Sequence, residues 1–214
     1  MDQVRQFFRA RFSKQGDVRF TSHHDLLRLF ERALRRARLP VAMSQGYNPR
    51  PQISVPAPLS VGFRGENEVL DFELCRWLRP EEVEERLGEE LPQGIALKSI
   101  KSVPTKPDRR PTFFSYRIPL RDGHPVTPDA IEGVLEADEL IVERTKKGKV
   151  KKRDIAGFVR ALRLEQQHLH MLLAMTDRGT ARPEEVLRSL GCQPGRHYLK
   201  SAITRTHVDL SSSL

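Results

Sequence analysis

The densest group of side chains able to do chemistry is Ser22-His23-His24-Asp25. A histidine at a helix start can act as general base on an RNA 2′-hydroxyl, with neighbouring arginines steadying the charge that develops. Adjacent helical residues point about 100° apart, so His23 and His24 do not share a metal, and no metal site is expected. The same letters also spell a helix cap. Thr21 or Ser22 can accept from the free N–H groups of the first turn, and Asp25 suits the positive helix end. His23 is the one candidate catalytic residue, and a hydrogen-bonded capping histidine is the competing reading.

These residues need a helix behind them. Leu26, Leu27, Phe30, Ala33, Leu34 and Ala37 recur at helical spacing and make one apolar face, which puts Arg28, Arg32, Arg35 and Arg36 on the other, with Arg38 near its edge. Only Glu31 offers a local counter-charge, so an outside anion would relieve the repulsion. The loop Gly46-Tyr47-Asn48-Pro49-Arg50-Pro51 joins a stacking ring, an amide able to read base edges and a guanidinium, with prolines that stiffen it. A hairpin at Thr145–Arg153 carries Lys146, Lys147, Lys149, Lys151, Lys152 and Arg153 around Gly148. Such lysines bind phosphate without regard to sequence, and they also protect strand edges. With Lys14 and Arg19 of the preceding turn, the expected RNA contacts are Lys14, Arg19, Arg28, Arg32, Arg35, Arg36, Tyr47, Asn48, Arg50, Lys146, Lys147, Lys149, Lys151 and Lys152.

Composition agrees with a polyanionic partner. The 214 residues hold 37 Lys+Arg against 28 Asp+Glu, a net charge of +9, and a cationic surface releases counterions from nucleic acid. No apolar run reaches the roughly 20 residues that cross a bilayer, and the start lacks a secretory apolar core, so a cytoplasmic protein with no membrane partner is expected. Cys75 and Cys192 lack metal-knuckle spacing. There is no iron–sulfur cysteine cluster, Gly-rich phosphate loop or hydrolase elbow, so no cofactor is expected and an enzyme is the weaker reading.

Along the chain, strands are expected at Val4–Ser13, Leu39–Met43, Ile53–Val55, Leu59–Phe63, Val69–Leu74 and Gly94–Val103, the Val69 strand half-buried, with a helix from Pro80. Pro104–Pro111 is rich in proline and charge and marks a boundary. Beyond it the order repeats: strand Phe113–Leu120, a helix opened by Thr127-Pro128, strand Leu140–Arg144, the lysine hairpin, strand segments Ile155–Leu164 and His168–Met175, a helix up to Leu190 closed by Gly191, and strand Ala202–Leu210. The expected fold class is α+β, with two tandem ferredoxin-like (split βαβ) domains over 1–104 and 112–210. One sheet face in that fold is free, and a basic, aromatic face would suit single-stranded RNA.

The stretch from Phe12 to Pro51 resembles the start of the radical-SAM-linked family, whose members are encoded beside, or fused to, a radical SAM protein. Phe12, Lys14, Gly16, Arg19, Phe20, Ser22, His23, Asp25, Leu26, Arg28, Arg32, Ala33, Arg35, Arg36, Ala37, Leu39 and Pro40 fit its first motif. Ser44, Gly46, Tyr47, Asn48, Pro49, Arg50 and Pro51 fit the second. His24 stands at a usually apolar place and Arg50 where histidine is common. The resemblance implies a radical SAM protein as partner. The expected role is a non-catalytic companion that holds structured or single-stranded RNA while tRNA or rRNA is modified. Two alternatives stand beside it: a metal-independent endoribonuclease using His23, and a protein-only adaptor docking the radical SAM partner. The element order also has an architectural likeness to CRISPR repeat-processing endoribonucleases, which by itself conveys no function.

Overall fold

The computed structural model describes residues 5–146 and 148–211, with the Lys146 side chain outside that set. The fold mixes α and β, with antiparallel strand pairs and four α-helices among the described residues. It divides into two compact units. One runs to Arg110 and takes in Leu210 and Ser211 of the tail; the other spans Pro111–Asp209.

In the first unit the order is β1 (Gln6–Lys14), α1 (His23–Arg36), β2 (Ile53–Ser54), β3 (Arg64–Leu74), α2 (Pro80–Glu89) and β4 (Ile95–Val103). The strands lie in the order β4-β1-β3, with β2 paired to the end of β3 through Ile53–Phe72 and Ser54–Asp71. Alternation sends Phe8, Ala10 and Phe12 of β1 to the same face as Leu70 and Phe72 of β3. Leu26, Phe30, Ala33 and Leu34 of α1 and Val83 and Leu87 of α2 close over them as one buried core. Phe12 meets Phe30 edge-on at 4.9 Å, and Phe8 stacks on Phe72 at 5.3 Å.

Several expectations need correction here. Leu39–Met43 is not a strand but contributes two isolated bridges, Val41 to Leu74 and Met43 to Pro51. Pro40, Pro49, Pro51, Pro56 and Pro58 lack the N–H a ladder needs, so pairing stops after two residues of β2. Leu59–Phe63 is a turn, closed by Phe63 N–H on Ser60 O. The Val69 strand starts earlier, at Arg64, and is buried on both faces from Glu68 to Leu74. The second face of β3 is therefore covered rather than free, while Phe7, Arg9 and Arg11 of β1 stay half-buried. Asp71, with no exposed surface, takes two hydrogen bonds from Arg9 (2.8 and 3.0 Å) and has Arg109 at 3.7 Å. Arg9 also donates to Asp108 O at 2.7 Å, so the segment before Pro111 lies against this face.

The second unit runs β5 (Pro111–Pro119), α3 (Pro128–Leu135), β6 (Ile141–Lys146), β7 (Lys149–Asp154), β8 (Val159–Glu165), β9 (His168–Ala174), α4 (Pro183–Ser189) and β10 (Thr204–Leu210). Its strands lie in the order β10-β5-β9-β8, while β6 and β7 pair only with each other. Thr127 Oγ1 caps α3 from Ala130 N–H. Gly191, at φ 75°, lets Cys192 N–H return to Leu187 O and close α4. A one-turn 3-10 segment, Ala156–Phe158, replaces the start of the expected Ile155 strand. Val4 and the side chains of Lys146 and Lys147 fall outside the described residues.

Candidate nucleic-acid interface

Ser22 is the N-cap of α1. Its hydroxyl accepts from Asp25 N–H at 3.2 Å and donates to the Asp25 carboxylate at 2.7 Å. That side-chain hydrogen bond, with Arg28 adding its charge, holds the Asp25 carboxyl below its usual range. At the other end Arg38 N–H returns to Arg35 O and Leu39 N–H to Leu34 O, with Arg38 at φ 53°. This closure usually uses glycine; Arg38 takes the left-handed conformation and points its side chain to solvent.

Arg28, Arg32, Arg35, Arg36 and Arg38 are all exposed. Their counter-charges differ. Arg36 reaches across to Glu90 past the end of α2, its Nε 2.6 Å from the carboxylate and its Nη2 on the Glu90 carbonyl. Arg28 stands 3.8 Å from Asp25. Arg32, Arg35 and Arg38 have no ion pair among the described residues. The expected four-arginine stripe thus narrows: Arg36 is occupied by its own chain.

Ahead of α1 the motif residues turn inward. Lys14, expected to meet phosphate, is 1% exposed and donates to Thr21 O at 2.9 Å, so its charge is used inside the fold. Lys14 pairs in register with Gly65, where an added Cβ would lie 2.6 Å from Cγ of buried Glu68. Only glycine lets the Glu68 side chain fold over this position. Arg19 is half-buried: it donates to Gly16 O at 3.1 Å and its guanidinium sits 4.5 Å over the exposed Phe20 ring. His23 is half-buried with a buried Nδ1 that has no hydrogen-bond partner. Burial first, then the charges of His24 and Lys14, push its pKa below the ordinary 6.5. The imidazole is therefore neutral at pH 7.

The Gly46–Pro51 loop is a closed protrusion. Ser44 N–H donates to Arg50 O at 2.7 Å, and Arg50 N–H returns to the Ser44 hydroxyl at 2.9 Å. Between them Tyr47 is fully exposed, beside exposed Asn48 and Arg50. Cys75 N–H bonds Pro40 O, so this loop leaves from the end of β3 that carries the C-terminus of α1. Lys14 binds Thr21 at the opposite end. The 14 residues of α1, at 1.5 Å each, put its two ends about 20 Å apart. Tyr47 and Arg38 share an end of the unit; His23 does not.

In the second unit the hairpin divides its cations. Arg144 makes a bidentate pair with Glu185 of α4 at 2.6 and 2.7 Å and donates to Thr180 O. Burial pushes the Glu185 carboxyl upward, but the Arg144 hydrogen bonds and the Arg182 N–H outweigh it, so its pKa ends below the ordinary 4.5. Arg153 donates to the Arg178 carbonyl and lies 5.2 Å over the Phe158 ring. Lys149, Lys151 and Lys152 remain exposed. Sequence reading gave no role to Arg144, Glu185 or Asp71. Only their wide separation along the chain hid those pairs, since each partner is an ordinary charged residue in isolation.

These features define a basic α+β chain of two units, with no group of three or more His, Cys, Asp or Glu placed to hold a metal among the described residues. By its sequence the chain belongs to the family described as an uncharacterized protein conserved in bacteria (DUF2344), whose pattern matches residues 8–183. No curated protein matches it by sequence. A crystal structure of an unknown protein from Galdieria sulphuraria aligns over 88% of this chain and 91% of its own at 14% identity and a TM-score of 0.31.

Proposed function

We propose that this chain is a non-catalytic RNA-binding companion of a radical SAM enzyme, working in the cytoplasm and presenting tRNA or rRNA for modification. The observation that carries the RNA reading is Tyr47, fully exposed on a closed loop at the end of α1 where Arg35 and Arg38 lack a carboxylate partner. An exposed ring at the same end of the unit as such guanidiniums suits stacking on an unpaired base with phosphate contacts alongside. The radical SAM partner rests on the motif resemblance of Phe12–Pro51. The strand orders β4-β1-β3-β2 and β10-β5-β9-β8 support reading both units as ferredoxin-like split βαβ domains, the second with the β6–β7 hairpin inserted after α3.

Fluorescence titration of single-stranded RNA and tRNA fragments at several salt concentrations tests this. Reversing Arg32 and Arg35 to Glu should weaken binding at least tenfold and flatten the dependence on salt. Equal affinity of the variant and the parent would sink the proposal.

A second reading is favoured by one observation. His23 is neutral at pH 7, the form that can accept a proton, and its Nδ1 is not engaged by the fold. Under it, RNA is cut in EDTA and the cut is lost in His23→Ala. An RNA left intact by the parent protein removes this reading.

A further inference from the structure

A cavity of about 570 Å³ opens beside the hairpin, lined by Arg144, Thr145, Lys151, Lys152, Arg153 and Arg182. Every residue of that wall except Thr145 is a cation, and none is a carboxylate or an apolar side chain. Arg144 is neutralised by Glu185 outside the wall. Arg153 is anchored on a carbonyl, a neutral partner, and so keeps its full charge while losing its freedom. Lys151, Lys152 and Arg182 make no ion pair within 4 Å among the described residues. Like charges this close repel in the empty protein, and an anion bound among them removes the repulsion.

We infer that this cavity takes a chain of phosphates, as carried by a nucleoside di- or triphosphate or by the 5′-triphosphate end of an RNA. A lone small anion would leave most of the cations unmatched, whereas each phosphate in such a chain brings about one to two negative charges. The polar groups of the wall's side chains are ammonium and guanidinium groups and one hydroxyl, so recognition runs through charge and hydrogen bonds. Arg144 and Arg153 are pre-placed by Glu185, Thr180 and Arg178, which lowers the ordering cost of binding. The site lies wholly in the second unit and does not depend on the RNA reading of α1.

Isothermal titration of the full chain with inorganic tripolyphosphate, orthophosphate, ATP and a short RNA bearing either a 5′-triphosphate or a 5′-hydroxyl tests it. Tripolyphosphate should bind saturably and at least tenfold tighter than orthophosphate. The Lys151→Glu, Lys152→Glu double variant, changed at exposed positions, should lose at least tenfold of that affinity with an unaltered circular dichroism spectrum. Arg32→Glu, Arg35→Glu in the first unit should leave it unchanged, so failure of the RNA proposal and failure of this one give different results. ATP matching the triphosphorylated RNA supports a nucleotide ligand. Triphosphorylated RNA exceeding both ATP and the 5′-hydroxyl RNA supports an RNA end. Absence of saturable tripolyphosphate binding, no preference over orthophosphate, or equal binding by the hairpin double variant overturns the inference.

Discussion

Arginine has opposite uses on α1 and on the β6–β7 hairpin. On α1 the guanidiniums face outward while leucine and phenylalanine hold the helix to its sheet, and only Arg36 is claimed by a distant carboxylate. On the hairpin Arg144 and Arg153 turn inward to Glu185 and to the Arg178 carbonyl, while Lys149, Lys151 and Lys152 stay outside. The planar fork of arginine suits fixed bidentate contacts and the flexible ammonium suits exposed ones, so the hairpin sorts its cations by chemistry. What makes a cation available to a ligand is the counter-charge supplied by the rest of the fold, which a local run of basic letters does not reveal.

Removing an inward partner should have the largest effect. Asp71 has no exposed surface and holds Arg9 through two hydrogen bonds. Asp71→Ala leaves that guanidinium without its carboxylate and should destabilise the protein by about 3–5 kcal/mol, read from urea unfolding. A loss under about 1 kcal/mol would mean that inward arginines are no more structural than outward ones.

Loss of an outward group should act on ligand and leave the fold alone. Tyr47→Ala removes a ring with nothing packed on it. It should reduce single-stranded RNA affinity by about 1–3 kcal/mol with the thermal midpoint unchanged. A lowered midpoint with affinity intact would reverse the assignment of the loop from binding to structure.

Acid should then separate the two arginine settings. The folded Glu185 pKa lies below 4.5, so its pair with Arg144 contributes fully above that value and is lost as pH falls through the folded pKa. Between pH 4.5 and pH 3 the parent should lose stability more steeply than Glu185→Gln, in which nothing titrates at this site. Parallel curves would show that the anchor of Arg144 does not depend on the carboxylate charge.

Local features were legible wherever the physics is local. Ser22, Thr127 and Gly191 cap their helices through bonds within a few residues, and the apolar spacing from Leu26 to Leu34 marked the buried face of α1. Misreadings came from partners far along the chain. The alternation of Val69–Leu74 pointed to one wet face, yet Asp71 is sealed by Arg9 and Arg109. The basic letter Lys14 suggests a phosphate contact, although the side chain is buried and donates to Thr21 O just ahead of α1. Proline explains the lost strands: the residues around Pro40, Pro51 and Pro56 have apolar letters but too few N–H donors for a ladder.

The smallest effect concerns His23, which sits at the α1 end away from the exposed Tyr47 loop. Its pKa is lowered in the folded protein, so the unfolded chain takes up a proton first as pH falls below 6.5. Stability from the neutral imidazole is complete above that value and declines as pH drops toward the folded pKa. Thermal unfolding between pH 7 and pH 5 should therefore show a falling midpoint in the parent and a flatter one in His23→Gln. The capping and general-base readings both require a neutral ring, but only the second couples it to cleavage. A flattened stability curve with no RNA cut by the parent assigns His23 to the fold, alongside Lys14 and Arg19. An unaltered curve in His23→Gln would show that burial and the nearby cations do not act on this ring, and the inward-facing reading of that end of α1 would fail with it.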